Sequence, residues 1–317
     1  MRRMDRSSSP HDAAAAPGVS REAFAAFRPR HDSLVCVDSD GCVFDTMEAK
    51  QRQCFHPLIV EQWGLHAIGD FVCETARFVN LYSRHRGGNR FPSLLLVFNL
   101  LAERPEVRRS GVPLPDLTSL ERLLAREPSP SQDTLEQAVL ATGDAALAAV
   151  LAWSRAVNRC VASTLHTAPP FDHAPDALDQ AAGGSDLIVV SQTPVEALVR
   201  EWSGSGLDRH VALIGGQELG TKAEQIALAA RGRYAPDRVL MVGDAIGDLK
   251  AARANGALFY PIVPAAESAS WRRFRTEAYD RFRSGTFAGS PEDAAVAAFE
   301  ARLPCEPPWL TRAAPRP

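Results

Sequence analysis

The sequence predicts an α/β fold in which a parallel sheet carries a large inserted helical domain. Three observations support this prediction: five short apolar runs, helix-like segments between the last four of them, and a long stretch without strand signals after the first. The chain has 317 residues. That length allows about two domains and a sizeable buried core.

The predicted strands are short runs that are apolar on both faces, as is typical of strands buried within a parallel sheet. They cover residues 34–37, 187–190, 211–214, 239–242 and 258–263. Helix-like segments at 194–202, 222–231 and 248–254 separate the last four. Because strands and helices alternate along the chain, we expect βαβ units and assign residues 31–46 and 187–263 to one α/β core.

Residues 47–186 interrupt this core between its first and second strands. Their apolar residues recur at helical spacing, as in Phe55, Leu58, Ile59 and Trp63. This periodicity predicts an all-helical inserted domain.

The two ends of the chain differ in composition. Residues 1–30 are rich in Ser and Ala without a lasting apolar period, which predicts a disordered tail with room for a short helix near 22–27. Residues 264–317 are expected to form an extension that packs on the core through Trp271, Phe274, Tyr279, Phe282 and Phe287. Trp309 would hold the proline-rich end against the body of the protein.

Composition excludes several functional classes. The net charge of −3 does not favour a dedicated nucleic-acid binder, and the most apolar stretch, 94–102, is too short to span a membrane. No apolar stretch suited to a signal peptide follows the first residues. The six cysteines form no CxxC pair, which argues against a zinc site and a disulfide framework. We therefore expect a cytoplasmic protein without a nucleic-acid or membrane partner, and the oligomeric state stays open.

Polar residues follow four of the predicted strands, at the point where each strand ends. Ligands of open parallel sheets bind at the carboxyl ends of the strands, so these side chains should converge on one crevice. They are Asp38 and Asp40 after the first strand, Ser191 after the second, Lys222 beyond the third, and Asp244 and Asp248 after the fourth.

This set of side chains has a clear chemical requirement. Four close carboxylates repel one another, so the crevice needs a bound cation, and a site of oxygen ligands favours Mg²⁺. The anion that Mg²⁺, a serine and a lysine would hold together is most simply a phosphoryl group.

The order of these motifs resembles that of the haloacid dehalogenase-like (HAD) superfamily. The resemblance lies in Asp38-Ser39-Asp40-Gly41, in Ser191 at a strand end, in Lys222, and in the GDxxxD motif that ends at Asp248. It implies a Rossmann-like core with a C1-type helical cap, the cap being residues 47–186.

The resemblance also implies roles for individual residues. Asp38 would be the nucleophile, and Asp40 would act first as general acid and then as general base. Ser191 and Lys222 would hold the phosphoryl oxygens. The Mg²⁺ ligands would be the carboxylates of Asp38 and Asp244, the backbone carbonyl of Asp40, and Asp248 through water or as an anchor.

Asp40 discriminates between reactions of the superfamily. Its dehalogenases lack an acid two residues after the nucleophile, whereas its phosphatases and phosphomutases keep one. We therefore expect a Mg²⁺-dependent phosphatase that acts on a small soluble phosphate ester.

Three residues depart from the usual pattern: Cys42, Gln192 and Ala223. Because a proline usually follows the motif lysine, Ala223 leaves Lys250 as a second candidate for the phosphate-binding lysine.

Within the cap, a basic stretch between two apolar helices is a candidate specificity loop. Arg84, Arg86 and Arg90 could be lowered onto an anionic substrate. Lys50, in the first cap turn, is interpreted as solvated, and Thr46 as part of a helix cap.

Three alternatives remain open. A phosphomutase would return the phosphoryl group to a rotated intermediate, and a phosphonate (C–P) hydrolase would use Lys50, the only lysine of the insertion, as a Schiff base. A binding protein without activity is disfavoured by the intact set of acids.

Overall fold

A computed structural model describes residues 17–164 and 168–311. Its centre is a five-stranded parallel sheet, in the spatial order β3-β2-β1-β4-β5. The strands are Leu34–Val37 (β1), Asp186–Val190 (β2), Leu213–Gly215 (β3), Val239–Gly243 (β4) and Leu258–Pro261 (β5). The predicted α/β class is confirmed.

The helices of the first half run Arg21–Ala26 (α1), Thr46–Lys50 (α2), His56–Gln62 (α3), Gly69–Leu81 (α4), Arg90–Glu103 (α5), Pro105–Ser110 (α6), Thr118–Arg126 (α7), Gln132–Thr142 (α8) and Ala145–Thr164 (α9). Those of the second half run Ala174–Ala182 (α10), Val195–Gly204 (α11), Lys222–Ala230 (α12), Ile246–Ala254 (α13), Glu267–Arg273 (α14), Tyr279–Arg283 (α15), Ser290–Glu300 (α16) and Pro308–Thr311 (α17). A π-helical turn, Gln51–Phe55, joins α2 to α3, and another, Phe274–Ala278, joins α14 to α15.

The register of the sheet brings the ends of its central strands to the same edge. Leu34 of β1 pairs with Asp186 of β2 and with Val239 of β4. The backbone N–H of Asp38 then donates to the carbonyl of Val242 at 3.0 Å, so the ladder continues one residue beyond β1. The residues that follow β1, β2 and β4 therefore emerge side by side.

Each face of the sheet is covered by helices. One apolar cluster joins the sheet to α10, α11, α14 and α15, and a second joins its other face to α1, α12, α13 and α16. Trp271, Phe274 and Phe282 are fully buried in the first cluster. These aromatic residues of the C-terminal extension thus pack on the core, as expected.

The insertion forms a separate apolar cluster. In its described part, regular elements are helices, and α3, α4, α5, α7, α8 and α9 contribute buried side chains to one cluster that contains Trp153. Trp309 packs against this cap cluster, near Phe78, and not against the sheet core. The C-terminal segment therefore reaches from the core to the cap.

The structure moves two predicted boundaries. Helix α10 packs on the sheet through Ala174, Ala177, Leu178 and Ala181, because its small residues share one helical face. The cap therefore ends before α10, not at residue 186. At the other end, Phe24 of α1 is fully buried and Gly18 bridges to Leu213 of β3, so residues 17–30 are not a disordered tail. Residues 1–16 and 312–317 lie outside the described residues.

One expectation from the cysteines was wrong. Cys54 and Cys160 form a disulfide that joins the π-helical turn after α2 to α9. Sequence spacing did not reveal it because the two residues, 106 positions apart, meet only when the cap helices pack. No helix in the described ranges is long and apolar enough to cross a membrane.

Candidate active site

Three buried carboxylates meet at the carboxyl edge of the sheet. They are Asp38 after β1, Asp244 after β4 and Asp248 in the first turn of α13, and one oxygen of each lies within 4.8 Å of those of the other two. The ammonium of Lys222, at the start of α12, lies 2.7 Å from Asp38 and 2.5 Å from Asp248. The structure therefore brings together these four residues that the sequence placed at strand ends.

The electrostatics of this acid cluster fit a cation. Burial raises the pKa of Asp38 well above its ordinary value, with the charges of Asp248 and Asp244 adding to the effect and Lys222 opposing it. Burial also raises the pKa of Asp244, against the opposing charge of Arg86. One oxygen of Asp244, Oδ1, is buried without a hydrogen-bond partner. An unpartnered carboxylate oxygen among two further acids suits a hard cation such as Mg²⁺.

Local backbone geometry holds Asp248 in place. Its Oδ2 accepts hydrogen bonds from the backbone N–H groups of Asp244 and Ala245, at 3.1 and 3.0 Å. Both its oxygens thus have partners, which makes it an anchor for the turn after β4. A Cβ at Gly243 would lie 2.4 Å from the Asp248 carboxyl, so only glycine fits this position.

Asp40 points to a different set of partners from Asp38. Its carboxylate accepts from the hydroxyls of Thr46 and Thr193 and pairs with the ammonium of Lys50 at 2.5 Å. Burial alone would raise the pKa of Asp40, but Lys50 and the two hydroxyls outweigh it and hold the pKa below its ordinary value. Asp40 is therefore ionised in this state.

Two interpretations from the sequence are corrected here. Lys50 is not solvated: α2 begins directly after the DxDG turn, so its last residue lies over that turn and pairs with Asp40. Thr46 is the first residue of α2 and bonds Asp40, while the preceding Asp45 makes no side-chain capping bond. The signal available in the sequence was the short distance between these residues and the motif.

Glu201 of α11 is a further acid that the sequence did not single out. Its carboxylate accepts from the Ser39 hydroxyl at 3.2 Å. Burial, and then the nearby charge of Asp40, raise the pKa of Glu201 to about 7, with Lys50 opposing. Glu201 follows no strand, so position along the chain gave no reason to select it.

Ser191 lies directly after β2 and is buried. Its Oγ accepts from the backbone N–H of Thr193 at 3.2 Å. Gln225 of α12, which the sequence also did not single out, holds this turn: it accepts from the Ser191 N–H and donates to the carbonyls of Ser191, Gly216 and Gly220. The Ser191 turn and the loop after β3 are thus joined by one buried amide.

The three predicted substrate-binding arginines lie in different places. Arg86 is buried, and its Nε and Nη2 both lie 2.6 Å from Oδ2 of Asp244. Arg90 donates to Ser154 and Asn158 within the cap. Arg84 pairs with Glu300 of the core at 3.5 Å. Of the three, Arg86 alone touches the acid cluster.

Gly41 makes room for Arg86 beneath the cap. Its φ is +77°, a region that favours glycine, and a Cβ there would lie 2.7 Å from Arg86 Nη2 and 2.8 Å from Asp244 Oδ2.

Lys250, the alternative phosphate-binding lysine, lies on α13 and makes no ion pair with any described residue. Geometry therefore favours Lys222 over Lys250 for the role at the acid cluster.

No protein-family model and no curated protein matches the sequence. Several solved structures are similar to this chain. A haloacid dehalogenase-like hydrolase from Bacteroides fragilis is 16% identical, with 75% of this chain and 92% of that chain covered and a TM-score of 0.47. A HAD hydrolase from Bacillus subtilis, described as bound to magnesium, is 14% identical, with 73% and 87% covered and a TM-score of 0.40.

A phosphatase from Clostridium difficile is 16% identical, with 73% of this chain and 85% of that chain covered and a TM-score of 0.39. The similar structures also include a defluorinating L-2-haloacid dehalogenase. This chain, with its five-stranded parallel sheet and inserted helical cap, is thus similar in fold to haloacid dehalogenase-like hydrolases.

Proposed function

We propose that this protein is a Mg²⁺-dependent phosphatase that hydrolyses a small soluble phosphate monoester through an aspartyl-phosphate on Asp38. The observation that carries the proposal is the pairing of two distinct acids on one turn. Asp38 lies in the acid cluster with Lys222, while Asp40, two residues on, lies among hydroxyls and Lys50. A nucleophile and a separate acid–base group are what transfer to aspartate followed by hydrolysis requires.

Each residue at the acid cluster has its own role in the proposed reaction. Asp38 attacks phosphorus, and the Lys222 ammonium, together with the Ser191 hydroxyl, neutralises charge that develops on the phosphoryl oxygens. Asp38 and Asp244 would hold Mg²⁺, with Asp248 as their anchor and the Asp40 backbone carbonyl as a further ligand. When bound, Mg²⁺ would compensate the carboxylates and polarise the phosphoryl group.

Asp40 supplies the proton chemistry. Its ionised form in this state is the form that accepts a proton from the hydrolytic water. To protonate the leaving oxygen in the first step, Asp40 must take up a proton, and Lys50 must move from it. Because Lys50 belongs to the cap, cap opening would separate this pair and allow exchange.

Asp40 also separates this proposal from dehalogenation. A halide leaves without a proton, whereas an alkoxide leaving group needs one. A second candidate is C–P bond hydrolysis, which the position of Lys50 beside Asp40 favours, since a lysine within the site could form a Schiff base with an aldehyde substrate. Borohydride trapping with phosphonoacetaldehyde would label Lys50 in that case, and a lack of label would exclude the candidate. Phosphomutase chemistry gives an isomer in place of free phosphate.

The substrate we propose is a small phosphorylated metabolite, because a large cap covers the site. We propose no nucleic-acid or membrane partner. The expectation of a cytoplasmic protein rested in part on cysteines without a disulfide, and the Cys54–Cys160 disulfide, which is unusual in a reducing compartment, removes that support.

The test is release of inorganic phosphate from an aryl phosphate, with Mg²⁺ and with EDTA, by the native chain and by Asp38→Asn. We expect Mg²⁺-dependent release that the substitution abolishes. A folded Asp38→Asn protein that releases phosphate at the native rate would contradict the mechanism.

A further inference from the structure

A second cleft lies at the seam between cap and core, beside the acid cluster. Its volume is about 220 Å³. The cap loop between α4 and α5 forms one wall, and the first turns of α13 form the other. Its lining includes Arg84, His85, Arg86 and Lys250, and no Asp or Glu among the described residues. Acids outside the lining pair its two arginines, Arg84 with Glu300 and Arg86 with Asp244, which leaves Lys250 as the cation of the walls that no described acid neutralises.

Lys250 is the central feature of this cleft. Each of the other two lysines, Lys50 and Lys222, is paired with a carboxylate, whereas Lys250 has no hydrogen bond or ion pair with a described residue. Burial, and then the charge of Lys250, lower the pKa of His85, so its imidazole is neutral at pH 7. An unpaired ammonium next to a neutral imidazole is suited to an anion.

The cleft is adjacent to the acid cluster but distinct from it. Arg86 lines the cleft, and its guanidinium extends to Asp244 at 2.6 Å. A Cβ at Gly87 would lie 3.0 Å from the Cβ of Ala245, so the loop packs directly on the residue after Asp244. Neither Asp38 nor Asp40 lines the cleft. An anion bound there has no nucleophile beside it and cannot be the reacting phosphoryl group.

We propose that this cleft binds a second anionic group, a carboxylate or phosphate, carried by the same substrate whose phosphoryl group Asp38 attacks. The inference rests on the proposed function and deepens it by naming the substrate class: a phosphate monoester with a further acid group a few atoms away. The N-terminal end of α13, which reaches the cleft at Ile246 and Gly247, adds a favourable dipole to the Lys250 charge. Arg86 belongs to both sites, because it lines the cleft and contacts Asp244 of the acid cluster.

The first experiment measures binding without turnover. Inorganic phosphate is titrated calorimetrically into the full chain in EDTA, where Lys222 and Arg86 are already paired with the three acids Asp38, Asp244 and Asp248 and these acids disfavour an anion at the reaction centre. We expect binding that Lys250→Gln weakens about tenfold, since it loses one charge-assisted contact. Lys250→Arg should restore it, and Arg231→Gln, an exposed cation outside the cleft, should leave it unchanged. Absent binding, or binding that does not depend on Lys250, overturns the anion site.

The second experiment asks whether the anion belongs to the substrate. The ratio of kcat/KM for 3-phosphoglycerate to that for glycerol 3-phosphate compares esters with and without a carboxylate. We expect the native ratio to exceed one and to fall about tenfold in Lys250→Gln but not in Lys250→Arg or Arg231→Gln. Phosphate binding that depends on Lys250 with an unchanged ratio would assign the cleft to a free anion and overturn the substrate claim. If no ester is hydrolysed at all, the proposed function fails. The titration then still shows whether the cleft binds an anion through Lys250.

Discussion

The guanidinium of Arg86 lies 2.6 Å from the carboxylate of Asp244, across 158 residues of sequence and across the boundary between cap and core. Both side chains are buried. The arginine therefore supplies, from the cap, part of the positive charge that the acid cluster needs. A metal bound at Asp244 would meet this charge at short range.

Arg86 and a metal ion should therefore oppose each other at Asp244. We expect Arg86→Gln to bind Mg²⁺ about tenfold more tightly in calorimetric titration, because a nearby cation is removed. Without metal, the same variant should lose about 3–5 kcal/mol of unfolding free energy, since the acids lose a buried partner. Arg84→Gln, whose side chain is half-exposed and paired with Glu300, is the control. Weaker Mg²⁺ binding by Arg86→Gln would instead show that the arginine orients Asp244 for the metal.

Lys222 and Lys250 can be ranked by turnover. Lys222→Met removes the ammonium that bridges Asp38 and Asp248, so we expect a loss of about 10²–10³-fold in kcat on glycerol 3-phosphate. The loss for Lys250→Met on this ester should be far smaller. The reverse order would make Lys250 the phosphate-binding lysine. Circular dichroism of both variants establishes that they fold.

The loss of kcat in Asp40→Asn should depend on the leaving group of the ester. Asp40→Asn removes the group that protonates the leaving oxygen, so hydrolysis of an alkyl phosphate should fall about 10²–10⁴-fold in kcat. An aryl phosphate with an acidic phenol needs little protonation and should suffer a loss at least about tenfold smaller. Equal losses on both esters would mean that Asp40 acts mainly by positioning other groups.

Glu201 should make stability depend on pH. Its folded pKa of about 7 lies above its ordinary value of 4.5, so the native state holds a proton that the unfolded chain releases between these values. Stability from this group is therefore full below pH 4.5 and is lost as pH rises to 7. Glu201→Gln should be more stable than the native chain at pH 8, with the gap closing toward pH 4.5, in urea unfolding. Glu196→Gln, an exposed acid on the same helix, should show no such trend.

The disulfide should stabilise the cap. Reduction of Cys54–Cys160 frees a loop of about 100 residues in the unfolded chain, so we expect reductant to lower the unfolding free energy by about 2–4 kcal/mol. Cys160→Ser should unfold at the reduced protein's lower temperature whether or not reductant is present. Free-thiol counts by mass spectrometry identify the oxidised state. If reductant leaves the unfolding of the native chain unchanged, the two cysteines do not form this bond in solution.

The sheet and the residues at its strand ends were readable from the sequence, because both depend on local pattern. A buried parallel strand must be apolar on both faces, and the residues after it necessarily emerge at the carboxyl edge. Asp38, Ser191 and Asp244 follow from that rule alone. The positions of Lys222 and Asp248 follow from the same rule, because both residues lie in the first turn of the helix that comes after a strand. The helical period of the insertion likewise predicted the cap as helices.

The contributions of the cap to the site were decided by tertiary packing alone. The sequence does not distinguish among Arg84, Arg86 and Arg90. In the structure, Arg86 contacts Asp244, whereas Arg90 contacts Asn158 within the cap. Nothing local in the sequence marks that the first cap helix lies over Asp40, so the contact of Lys50 with Asp40 is visible only in the structure. Long-range docking of helices fixes such contacts, and a pattern of a few residues carries no information on it. The sequence by itself determined the core and the polar residues at its strand ends, whereas tertiary packing determined which cap side chains contact them.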